Sequence, residues 1–198
     1  MKNKKKKLLV FHPALAPYRI DLFNALNNEF EAKIIFFREN LRSQKFDREK
    51  INSQLNFQPE FLTTGFYYST GKRMIRFGFV KKIFITRPDI ILNSEYNITT
   101  FITLLFTKLF FPKTKSYTFC DDSVDVAQKS PKDRKIGRYL CLKLLDGVVL
   151  SNDFVKEWYN SNFTDVKTIV FPIIQKEERL KSYFGRFPFC CERIQKKI

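Results

Sequence analysis

Two adjacent carboxylates are the residues best placed to do chemistry: Asp121 and Asp122, in the stretch Phe119-Cys120-Asp121-Asp122-Ser123, where an apolar run, Ser116 to Phe119, gives way to a polar loop. In an open α/β sheet ligands bind outside the carboxyl ends of the strands, so an acid pair at such a point is a candidate general base or ligand clamp. The same two residues would equally serve to cap the next helix or to satisfy loop amides, and the pair alone does not choose. Three more polar clusters follow apolar runs in the same way: His12-Pro13 through Pro17-Tyr18-Arg19, Ser94-Glu95-Tyr96, and Ser151-Asn152-Asp153. Arg19 and the helix N-terminus beside it offer a guanidinium and amides to a phosphate, with a structural ion pair as the equal alternative. The first loop lacks the glycines of G-x-G-x-x-G, which disfavours a dinucleotide cofactor. His12 is the only histidine and suits packing or loop bonding better than catalysis. With one imidazole and no CxxC among four cysteines, no metal site is expected and a reducing compartment is indicated.

The elements that must position these clusters read as strands alternating with helices. Leu8-Leu9-Val10-Phe11, Ala32 to Phe37, Asp89 to Leu92, Lys115 to Phe119 and Gly147 to Leu150 are short apolar runs of the kind found in buried parallel strands, with a weaker strand at Glu60 to Thr63 and a last extended segment from Val166 to Ile174. Helical spacing is predicted over Tyr18 to Phe30, Lys72 to Ile85, Thr99 to Phe111 and Lys132 to Leu145, with a capped helix after Ser151-Asn152-Asp153. The Thr99 to Phe111 segment is apolar nearly all round, as expected of a helix sandwiched inside a fold. Residues 38 to 56 show no clear period and read as a long mobile excursion, and a loop holds Tyr67, Tyr68 and Gly71. The fold class is therefore α/β: a Rossmann-like, mostly parallel, doubly wound sheet flanked by helices, which gathers all four polar clusters at one edge.

Composition and charge bound the partners. A chain of 198 residues, 44% hydrophobic, suits one ordinary domain. The net charge of +16 is uneven: residues 1–7 hold five Lys and no acid, and residues 176–198 hold seven Lys or Arg against three Glu. Anionic lipid or a phosphorylated substrate ranks above nucleic acid, since no zinc-finger spacing, RNA-binding signature or basic heptad helix is present. Lys72, Arg73, Arg76, Lys81 and Lys82 would share one face of the Lys72 to Ile85 helix, either as a solvated face or as a surface for an anionic membrane. The basic N-terminus imitates a signal peptide, but His12-Pro13 breaks the apolar run after four residues, short of a secretory core. A cytoplasmic protein, peripheral at the inner face of the cell membrane, is the expectation, and the sequons at Asn97 and Asn162 then carry no meaning.

The ordered combination HPALAPYR, NSEYN, CDDS, DGVVLSNDFVKEWY and FPIIQ resembles the N-terminal domain of a bacterial GT-B glycosyltransferase of family 4, over roughly residues 7–175. The resemblance implies one half of a GT-B fold that holds a glycan or lipid-linked acceptor, facing a second Rossmann-like domain that binds a nucleotide-sugar as co-substrate, with no metal and with retention at the anomeric carbon, as in polysaccharide biosynthesis. It places Asp121 and Asp122 in catalytic positions, where many relatives carry a histidine, and Pro17, Tyr18, Arg19, Glu95, Tyr96 and Ser123 in substrate binding. Nothing after Gln175 matches the family's second half. The expected organisation is thus a basic tail over 1–7, the domain over 8–175 and a poorly ordered basic end over 176–198, truncated before the donor domain, inactive alone, and completed by another polypeptide. The rival reading is a non-catalytic membrane- or polyanion-binding module.

Overall fold

The computed structural model describes residues 4–39, 47–62, 64–68 and 73–171. The sequence expectations for residues 1–3, the 40–46 part of the predicted excursion, Thr63, Gly71, Lys72 and everything beyond Phe171, including Ile174 and the basic C-terminal segment, lie outside the described residues. A seven-stranded sheet, all parallel, forms the centre. Its strands are β1 (Lys7–Ala14), β2 (Glu31–Arg38), β3 (Glu60–Phe61), β6 (Ile90–Ser94), β7 (Lys115–Cys120), β8 (Gly147–Leu150) and β9 (Thr168–Val170), in the spatial order β3-β2-β1-β6-β7-β8-β9. The chain winds outward from β1 through β2 to β3, then crosses back to start again at β6, so the order reverses between β1 and β6. Such a switch point opens a crevice at the carboxyl ends of the two strands.

The continuous apolar runs are explained by burial on both faces. Leu8 and Val10 of β1 join Ile20, Leu22 and Phe23 of α1 (Ile20–Glu29) on one face, while Leu9 and Phe11 join Phe79 and Ile83 of α3 (Phe79–Thr86) on the other. Each such side chain contributes about 1.5–3 kcal/mol through burial. The second face continues under α4 (Ile98–Phe110), α6 (Lys132–Leu142) and α7 (Asp153–Asn162), which bury Leu104, Cys141, Leu142, Val155 and Tyr159. Polar caps start several helices: Asn97 accepts from the Thr100 amide at 3.0 Å and Asn152 from that of Val155 at 3.0 Å.

Three expectations are corrected. The predicted helix from Lys72 to Ile85 is instead a strand, β5 (Arg73–Arg76), paired antiparallel with β4 (Gly65–Tyr68), followed by α3. Gly78, at φ 92°, turns the chain between them, and Gly65 lets the hairpin close, because a Cβ there would lie 2.1 Å from the Ile75 carbonyl oxygen. The basic stripe is divided accordingly: Arg76 Nε donates to the Phe37 carbonyl at 2.9 Å and Lys82 pairs with Glu60. Residues 47–56 are not a loose excursion either. They form α2 (Arg48–Asn52), bury Ile51 and dock on α1, with Asn24 donating to the Gln54 carbonyl at 2.8 Å and accepting from the Asn56 amide at 3.0 Å. Finally, α4 is not sandwiched. It buries Thr99, Thr100, Thr103, Thr107 and Leu104 and leaves Ile98, Leu105 and Leu109 exposed.

Candidate functional site

At the carboxyl edge of the sheet β1 runs through His12 and Ala14 into a 3-10 turn, Pro17–Arg19, in which Pro17 supplies the fixed φ suited to a first helical position. The turn carries Tyr18 outward and Arg19 inward, so that Arg19 is buried with its guanidinium 5.8 Å above the Tyr18 ring and 5.7 Å above that of Phe119. From there it donates to the Asp121 carboxylate, whose side chain is 48% exposed. Arg19 Nε has no hydrogen-bond partner among the described residues. A buried cation thus fixes an accessible acid at the rim.

Asp122 faces the other way. Arg134 Nη2 donates to its Oδ1 at 2.8 Å and Arg138 Nη2 to its Oδ2 at 3.1 Å, and the side chain is nearly buried. Arg138, itself buried, also donates to the Ala127 carbonyl at 3.1 Å and lies 5.5 Å from the Tyr96 ring and 5.8 Å from that of Trp158. The adjacent Ser123 accepts from the Val126 amide at 3.3 Å and starts a short helix, α5 (Val124–Gln128).

Glu95 closes the group. It sits at φ 63°, a left-handed conformation held by its amide donating to the Phe119 carbonyl at 2.8 Å and by Thr118 Oγ1 donating to its own carbonyl at 3.0 Å. Its carboxylate lies 3.7 Å from Arg134. Desolvation raises the Glu95 pKa, against the pull of Arg134 and with help from Asp122 and Asp121. Half of the side chain stays open to water, which limits the rise. Tyr96, by contrast, points into the core, where its hydroxyl accepts from Tyr159 at 2.8 Å; Cys120 Sγ lies 3.3 Å from the same Tyr159 oxygen. Burial raises all three of these groups, so each stays protonated at neutral pH. His12 is also buried: Nδ1–H donates to the Ala14 carbonyl at 2.8 Å, the ring meets Phe23 and Phe36 edge-on, and burial lowers its pKa to about 4.

Asp121, Glu95, Tyr18 and Ser123 therefore lie exposed at one edge, with Arg19 and Asp122 behind them and Tyr96 beneath. Arg134 and Arg138 were missed by sequence reasoning. The sequence reading carries only a helix over Lys132 to Leu145, and the one signal in it is that the two arginines are four residues apart, shortly after the acid pair. Among the described residues no group of three or more His, Cys, Asp or Glu could hold a metal. A depression of ≈ 340 Å³ lies at the opposite edge, against Arg87, Pro88, Phe110 and Phe111, remote from the acids.

No protein-family profile matches the chain, and comparison with curated protein sequences gives no match. Solved structures do match. A protein of Listeria monocytogenes assigned as a UDP-N-acetylglucosamine 2-epimerase superposes with TM-score 0.57 at 18% identity, over 82% of this chain and 44% of that one. Anabaena Alr3699/HepE, in complex with UDP and glucose, gives TM-score 0.57 at 12% identity, over 91% of this chain and 50% of that one. The fold is that of one GT-B half. An α-glucosyltransferase in complex with UDP and a 13-mer DNA gives TM-score 0.53 at 11% identity, over 90% and 45%. The chain thus spans about half the length of each of these neighbours.

Proposed function

We propose that this chain is the acceptor-side half of a retaining glycosyltransferase, which transfers a sugar from a nucleotide-sugar donor to a glycan or lipid-linked acceptor at the inner face of the cell membrane. The observation that carries the reading is the half-exposed Asp121 fixed by the buried Arg19, next to Glu95, at the sheet edge where such folds bind ligands. Support for nucleotide-sugar chemistry comes from the fold, shared with proteins that hold UDP or act on UDP-sugars. In this reading Asp121 hydrogen-bonds the acceptor hydroxyl and takes its proton, with Glu95 sharing the work and Tyr18 and Ser123 lining the approach. Asp122, clasped by Arg134 and Arg138, fixes the loop that presents Asp121. In this reading a second Rossmann-like unit holds the donor across the cleft.

The test is to incubate the 198-residue chain with UDP-glucose or UDP-N-acetylglucosamine and membrane or glycan acceptors, alone and together with a separately produced donor-binding Rossmann-like domain. The expected result is no turnover alone and sugar transfer on mixing, with Asp121→Asn strongly impaired. Robust turnover by the chain alone, epimerised sugar-nucleotide without transfer, or wild-type rates in Asp121→Asn would overturn the reading.

A further inference from the structure

We propose that the outer faces of α3, α4 and α6 form a membrane-docking surface that lies on an anionic phospholipid bilayer. The inference rests on the membrane location in the function proposed above and assigns it a specific surface.

The decisive feature is that α4 is inside out. Ile98, Leu105 and Leu109 are separated by seven and four residues and so fall on one stripe running the length of the helix. All three are exposed, Leu109 by 74%. The opposite face, turned inward, holds four buried threonines, of which Thr103 Oγ1 finds no hydrogen-bond partner among the described residues. A helix that meets water on its outer side gains by the reverse arrangement, since buried hydroxyls cost free energy and exposed leucines forgo burial. The neighbouring helices extend the apolar surface. Phe84 on α3 packs edge-on against Phe106 of α4 with ring centroids 5.0 Å apart, and Ile85 beside it is 61% exposed. On the far side α6, in contact with α4, exposes Ile136 and Tyr139.

Charge selects the occupant. Of the seven Lys or Arg on the three helices, Lys82, Lys108, Arg134 and Arg138 pair with Glu60, Asp146 and Asp122, so the charge of the outer face comes from the other three lysines, with Asp133 the one acid on these helices. Exposed Lys81, Lys132 and Lys135 border the apolar stripe, and the Lys143 ammonium sits 4.4 Å from the Tyr139 ring. Two copies of such a face repel each other, whereas lysines around an apolar stripe complement acidic headgroups over acyl chains. The geometry also serves the site: Ile98 is three residues beyond Glu95, so a bilayer lying along α4 reaches the edge where a lipid-linked acceptor would enter.

The test is co-sedimentation of the full 198-residue chain with vesicles of phosphatidylcholine, and with vesicles of phosphatidylcholine and phosphatidylglycerol in equal parts. Binding is expected mainly to the anionic vesicles. Leu105→Glu/Leu109→Glu should weaken it by roughly tenfold or more, through lost burial. Lys132→Glu/Lys135→Glu, which leaves the apolar stripe intact, should weaken binding to anionic vesicles by a similar factor. Both changes are on the surface, and unchanged circular dichroism checks that the fold is kept. Undiminished binding by the leucine variant overturns the proposal. So does a concentration-dependent dimer that the same variant abolishes, because the face then belongs to a second copy. The assay needs no donor or acceptor, so failure of sugar transfer and failure of docking are read separately.

Discussion

Arg138 Nη2 donates to Asp122 Oδ2 at 3.1 Å while Arg134 Nη2 holds the other oxygen at 2.8 Å, so two consecutive aspartates have opposite environments. Asp121 looks out on solvent and Asp122 is shared by a pair of guanidinium groups, one of them buried. Removing Asp122 strands the Arg138 charge. Asp122→Ala should therefore cost about 3–5 kcal/mol in urea unfolding. Combining it with Arg138→Met should recover part of that loss, and a double-mutant cycle measures the coupling.

Asp121→Asn should behave differently. Its own side chain is half exposed but its partner Arg19 is buried, so removing the charge leaves a buried cation that the Asn amide oxygen still bonds, at a cost of about 1–3 kcal/mol, less than for Asp122→Ala. In a transferase reconstituted with its donor half, the same change should lower kcat by about 10²–10⁴. Parallel kinetics and unfolding curves for the two aspartates separate the catalytic from the supporting acid.

His12 predicts an acid-side loss of stability. The unfolded imidazole takes its proton near 6.5 and the folded one only near 4, so between those values the unfolded chain binds more protons. Stability from this group is complete above about 6.5 and declines as the pH falls towards 4, by about 3 kcal/mol in all. His12→Gln should flatten this part of the stability curve measured by urea titration at a series of pH values.

Thr103 offers a gain. Its hydroxyl is buried without a partner among the described residues, so Thr103→Val, nearly the same shape, should raise stability by about 1 kcal/mol. Thermal unfolding followed at α-helical wavelengths would show it.

The strands of the first half were legible because burial on both faces favours a continuous apolar run, as in Leu8 to Phe11, whereas β6 and β7 also bury Asn93, Ser116 and Thr118; the polar clusters that follow the strands were legible by position alone. The stretch from Arg73 to Arg76 was misread since Ile75, Phe79 and Ile83 keep a helical spacing across what is a strand and a separate helix. Its pairing partner at Gly65 to Tyr68 and the left-handed Gly78 are tertiary facts. The same holds for the site. Two carboxylates after a strand announce themselves, whereas Arg134 and Arg138 become informative only when α6 is packed against the loop. The outward stripe of α4 was hidden for a simpler reason: an apolar helix read from sequence gives no sign of which side faces in.

The Cys120–Tyr159–Tyr96 contact gives the edge a built-in clock. A thiol that burial keeps protonated, beneath the loop bearing both aspartates, reacts with an alkylating reagent only when that floor opens. The rate of modification at Cys120, followed by mass spectrometry of the peptide that contains it, thus reports how often the rim comes apart, and a ligand that settles there should slow it.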